Sequence, residues 1–161
     1  MKKFILMFSL FILTTMSITA QEYYWTSYSF NVDSEDTEIV AKLTNDYFSA
    51  ENSKVDGVSV YLFENHFYDK DLSSSHQIVF AGTYDAMGKQ YSQGDNPSWD
   101  LYLTKLGQYT KGFSAAAGKS VHSFGVPGTH PIQNLFWLKV NDASTFAKGF
   151  KKYNSKHNPD D

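Results

Sequence analysis

Tyr23-Tyr24-Trp25-Thr26-Ser27-Tyr28-Ser29-Phe30-Asn31-Val32 is the stretch on which the fold turns. Its residues alternate. Tyr24, Thr26, Tyr28, Phe30 and Val32 share one face, and Trp25, Ser27, Ser29 and Asn31 share the other. Alternation with period two, rich in aromatic and β-branched residues, predicts a strand. Asp33-Ser34-Glu35-Asp36 follows and supplies cap residues and first-turn acids, which the free N–H groups of a helix start favour. Ile39, Val40, Leu43 and Tyr47 then recur at helical spacing, so residues 35–50 read as an amphipathic helix lying on a sheet.

Working outward, Val55-Asp56-Gly57 is a turn into a second strand, Val58–Phe67, and His76–Tyr84 is a third. Their short polar connection, Tyr68–Ser75, predicts an antiparallel pair. Ala86–Pro97 reads as a loop leading to a helix with Trp99 in its first turn. Gly112–Gly118 reads as helix continuation or loop, Lys119–Gly125 as a short strand, and Leu135–Val140 as a strong strand. Asn141-Asp142 caps a last helix carrying Phe146, Ala147, Phe150 and Tyr153 on one side.

The fold class is therefore α+β. The first six elements give β-α-β-β-α-β with helices on one sheet face, the ferredoxin-like split βαβ order. A β-α pair follows. Phe30-Asn31-Val32-Asp33 with Ala41, Lys42 and Tyr47 parallels Leu138-Lys139-Val140-Asn141-Asp142 with Ala147, Lys148 and Tyr153. This reads as the start of a second repeat from about residue 133, incomplete at Asp161, or as a strand and helix added to the first sheet.

Upstream, Lys2 and Lys3 precede a run of roughly ten apolar residues and a small-residue stretch ending at Ala20. That is the layout of a secretory signal, with cleavage expected between Ala20 and Gln21 and a bulky Ile18 three residues before the cut. A bilayer span needs about twenty apolar residues, so no stable membrane insertion is expected after cleavage. The domain is residues 21–161, placed outside the cytoplasm, secreted or periplasmic. It keeps 12 lysines against 17 acids, a formal charge of −5, which suits neither nucleic acid nor an anionic membrane surface.

The chain has no cysteine and no arginine. The first absence excludes disulfides, thiolate metal sites and a cysteine nucleophile, so burial alone holds the domain together. The second removes the bidentate clamp that phosphate and carboxylate substrates favour. Aromatic residues number 27 of 161 and concentrate in the strands. They build a core, an interface or a ring-lined pocket.

Chemistry-bearing patterns are few. His66, His76, His122, His130 and His157 form no H-E-x-x-H frame and no helical i,i+4 pair. Asp69–Ser73 lacks the central glycine and closing glutamate of a calcium loop. No G-x-S-x-G elbow, P-loop or dinucleotide fingerprint is present. His66 and His122 fall at strand positions that neighbouring strands could bring to one cavity, where an imidazole takes a proton from a substrate or ligates haem iron. Trp25 and Trp137 are the rings best placed to line such a space. These four residues are the candidate ligand-binding set; no metal site and no required cofactor is assigned.

The element order, the aromatic strands and the Trp99-bearing second helix resemble the dimeric α+β barrel superfamily and its antibiotic-biosynthesis-monooxygenase-like domains. The resemblance covers residues from about 23 to 153, and no motif places a catalytic residue. It implies two ferredoxin-like sheets packed face to face, as a homodimer or by pairing of repeats within a chain. Its functional implications run from a non-catalytic exported domain holding a small apolar ligand, through a cofactor-independent monooxygenase acting on a small aromatic substrate, to a haem-binding barrel.

Overall fold

The computed structural model describes residues 22–67, 73–122 and 132–157. Strands β1 (Tyr23–Val32), β2 (Val58–Glu64), β3 (His76–Thr83) and β4 (Thr110–Lys119) form one antiparallel sheet in the order β2-β3-β1-β4. Helices α1 (Thr37–Ser49), α2 (Tyr84–Tyr91), α3 (Pro97–Leu106) and α4 (Ala143–Asn154) complete the described chain. The order and the one-sided helices make the sheet ferredoxin-like.

The alternation of β1 sets which face is covered. Phe30 and Val32 from β1 meet Ile78 and Phe80 from β3, and Val40, Met87, Tyr102 and Leu106 from α1, α2 and α3 close over them. Register keeps this face continuous: Tyr28 lies opposite Ile78 and Leu62 opposite Ile78 from the other side. Phe48, Tyr47, Trp99 and Tyr102 pack edge-on and stacked between α1 and α3, with Tyr47 and Tyr102 at 4.7 Å. Helix starts are capped as the local chemistry dictates. Thr83 Oγ1 accepts from Ala86 N, Asn96 Oδ1 from Ser98 N and Trp99 N, and Asp142 Oδ1 from Thr145 N.

Three expectations are corrected. Residues 84–91 are α2, because the Thr83 cap and the burial of Ala86 and Met87 outweigh the glycine and polar residues of that stretch. The fourth strand is Thr110–Lys119, where helix or loop was expected, because the long β1 offers a free edge that small side chains fit; of the strand expected at Lys119–Gly125, residues 123–125 lie outside the described residues. Leu135–Val140 is not a strand. It pairs with nothing, and its side chains stand exposed. The helix after it forms as expected, capped by Asp142. The expected signal at residues 1–20 and His130 lie outside the described residues.

Candidate functional site

The face of the sheet away from α1, α2 and α3 carries the candidate site. Register places Trp25, Ser27, Ser29 and Asn31 of β1 there. Beside them lie Gln77, Val79 and Ala81 of β3, Ser59, Tyr61 and Phe63 of β2, and Ser114, Ala116 and Gly118 of β4. Hydroxyl and small residues hold the β1–β4 half, and rings hold the β2 edge, where Tyr61 and Phe63 stack at 6.0 Å. Two polar groups are buried here without a partner, Ser27 Oγ and Gln77 Nε2.

Trp25 lies over β4 because residue 118 is glycine. A Cβ at that position would sit 2.6 Å from the indole Cζ2. Trp137 comes from the unpaired segment after β4. It borders a cavity of about 400 Å³ whose other walls include Ser27, Ser29, Asn31, Ser73, Ser74 and Ser114. Asn31 is held there by its Oδ1, which accepts from Ser75 N at 3.0 Å. Among the described residues no imidazole, carboxylate or ammonium lines this cavity.

The two candidate histidines do not meet. β2 and β4 are the outer strands, so three strand spacings separate them. Val58, Gly82, Tyr24 and Lys119 share one row of the sheet, and Glu64, His76, Phe30 and Phe113 share another six residues along. His66 follows the end of β2 at the second row, and His122 follows the end of β4 at the first. The two strand ends stand diagonally across the sheet, roughly 25 Å apart at about 4.8 Å per strand and 3.3 Å per residue. The single cavity expected to hold both is thus not formed within one chain. Both residues are exposed.

A different histidine is built into the structure. His76 is 3 % exposed, stacks on Phe30 at 6.1 Å, and places Nδ1 2.8 Å from Ser75 Oγ. Ser75 Oγ accepts from Val32 N and also lies 3.4 Å from Val32 O, to which it donates, so the serine ties the His76 ring to the end of β1. Burial holds the His76 pKa below its usual value, and only the Glu64 carboxylate acts the other way. The ring is therefore neutral at physiological pH. It lies on the helix-covered side, opposite Phe30, away from the cavity. Tyr91 shares its hydroxyl with Thr26 and Tyr28, and burial pushes its pKa upward. Burial likewise pushes Tyr102, bonded to Thr44, up to about 12. Neither phenol ionises near neutrality. Among the described residues no three His, Asp or Glu side chains group to hold a metal, and no helix is long and apolar enough to cross a membrane.

Alternation of β1 in the sequence already grouped Trp25 with Ser27, Ser29 and Asn31. What it did not offer was the other wall, because Gly112–Gly118 carries no β signal. Nor did it mark Gly118 as the seat of Trp25.

No protein-family model matches the chain, and no curated protein matches it. Solved structures do. A dimeric protein of unknown function with a ferredoxin-like fold from Bacteroides fragilis is 9% identical, over 61% of this chain and 96% of that one, at a TM-score of 0.43. A dabb family protein with a ferredoxin-like fold from Mesorhizobium loti is 11% identical, over 65% and 100%, at 0.46. A candidate antibiotic biosynthesis monooxygenase from Caulobacter crescentus is 11% identical, over 62% and 89%, at 0.45. The chain is thus similar to ferredoxin-like and antibiotic-biosynthesis-monooxygenase-like proteins, and that similarity assigns it no activity.

Proposed function

We propose that the chain is an exported, non-catalytic domain that closes the sheet face away from α1, α2 and α3 against a second copy of itself. The observation that carries this reading is the apolar run after β4. Leu135, Phe136, Trp137 and Leu138 are 57%, 79%, 52% and 66% exposed. Contiguous apolar exposure of this kind marks an interaction surface. The four side chains offer roughly 500 Å² per copy at about 150–250 Å² for each large ring. Two copies reach the ~1,000 Å² that a specific interface requires before the sheet face is counted. Tyr61 and Phe63 on the β2 edge extend the same surface.

What supports the non-catalytic reading is that no acid or base among the described residues lines the cavity and that His66 and His122 lie apart. Export rests on residues 1–20. A small ligand enclosed between the two faces is part of the reading, and the cavity beside Trp137 is the space for it.

Sedimentation velocity on the chain from Gln21 onward tests the assembly. The expected result is a species of twice the chain mass at tens of micromolar, reduced to one chain by Leu138→Asp. A native chain that stays monomeric at hundreds of micromolar overturns the reading. N-terminal sequencing of the protein recovered outside the cytoplasm tests export, with Gln21 as the expected first residue.

A further inference from the structure

We propose that the cavity beside Trp137 binds a neutral, polyhydroxylated ligand, a saccharide. The walls decide the class. Ser29, Ser73, Ser74 and Ser114 border a space of about 400 Å³, together with Gly112, Phe113, Ala115 and Ala116, within the roughly 300–1,000 Å³ range of small-molecule pockets. None of these hydroxyls is engaged with another described residue. Asn31 has its oxygen committed to Ser75 N, which leaves its amide donors for a ligand. Each serine can donate and accept, as a sugar hydroxyl does.

Ser27 supplies the independent sign that something polar belongs here. It is 5 % exposed, lines the cavity, and its Oγ has no partner. Native interiors rarely leave such a group unmet unless a water or ligand serves it. Among the described residues no charged side chain lines the space, which favours a neutral ligand. Trp137 is half-exposed and gives a flat ring for the C–H face of a sugar.

The small apolar guest expected from the sequence fits these walls poorly. It would leave several hydroxyls facing carbon, each losing water without replacement. Trp137 belongs also to the run assigned to the second copy, so binding is measured on the single-chain variant Leu138→Asp beside the native chain, and this inference requires that the single chain bind.

Saturation-transfer-difference NMR and calorimetry with maltose, cellobiose and N,N′-diacetylchitobiose test it, with indole as the apolar counter-probe. At least one disaccharide is expected to bind saturably at millimolar concentration. Trp137→Ala or Ser114→Val should weaken it at least tenfold while the far-ultraviolet circular dichroism is unchanged. Both positions lie outside the core, so folding survives the substitutions. Saturable binding of indole alone, no saturable binding of any disaccharide, or disaccharide binding that neither variant weakens each overturns the proposal. Sedimentation of the same samples reports the assembly separately.

Discussion

The two faces of this one sheet are made of different chemistry. On the helix side, Phe30, Ile78 and Phe80 are 2–5 % exposed and the Phe80 ring meets Tyr28 and Phe48. On the other side β3, β1 and β4 present Gln77, Ser27, Ser29 and Ser114, with rings at Tyr23 and Trp25 and along β2. The first face is complete within the chain. The second buries Ser27 Oγ and Gln77 Nε2 without partners and leaves the Leu135–Leu138 run in water. Stability therefore lives on the first face, and the proposed recognition falls to the second.

Substitutions should separate the two. Phe80→Ala removes the ring that Tyr28, Phe48 and Tyr91 contact, and should cost about 3–5 kcal/mol in a denaturant melt. A cost under about 1 kcal/mol would mean the helix face is not the core. Gly82→Ala comes next. Its Cβ would sit 2.5 Å from the Gly57 carbonyl oxygen, a backbone atom in a turn held at φ +83°, so the turn into β2 must shift. A loss of about 1–3 kcal/mol is expected by the same melt.

Acid should act on the first face too. His76 has a folded pKa below its unfolded value, so the unfolded chain takes up its proton first as pH falls. The His76 contribution to stability is full above about pH 6.5 and is lost as pH falls through the folded pKa. Melts across pH 4–8 should show this limb, and His76→Gln should remove it. The smallest effect on folding belongs to the second face. Phe63→Lys should alter the stability of the single chain by no more than about 0.5 kcal/mol, as surface changes do, yet abolish the dimer in sedimentation. A large stability loss with the dimer retained would reverse the assignment of the two faces.

Much of the first face was legible in the sequence. The alternation from Tyr23 to Val32 gave β1 its observed bounds, and the acids after Asp33 led into α1 as read. Both signals are local. The second face depends on pairing, which is not local. Thr110–Lys119 has glycines and alanines and reads poorly as a strand, yet β1 needs an edge partner and its small residues leave room for Trp25 over Gly118. Leu-Phe-Trp-Leu-Lys-Val at 135–140 is rich in apolar and aromatic residues, yet it joins neither edge of the sheet, β2 or β4. Strand propensity reports how a side chain packs once a neighbour exists, so it misled in both places. The same non-locality separated His66 from His122, since only strand order shows that their strands are the two edges. Alternation put Trp25 opposite the covered face of β1, Trp137 stands in a segment that read as a strand and is none, and the serines beside them were not singled out.

The closing of the second face by a second copy is tested most directly by spin-label distances, and the absence of cysteine makes single labels unambiguous. One label goes at Ser59→Cys, exposed on the open face of β2, and one at Lys42→Cys, exposed on α1. Packed sheets stand about 10 Å apart, and each helix layer adds roughly 10 Å more. The account predicts a defined intermolecular distance for the Ser59 label, shorter than that for the Lys42 label. No intermolecular coupling from either label, or a shorter distance between the Lys42 labels, would contradict it.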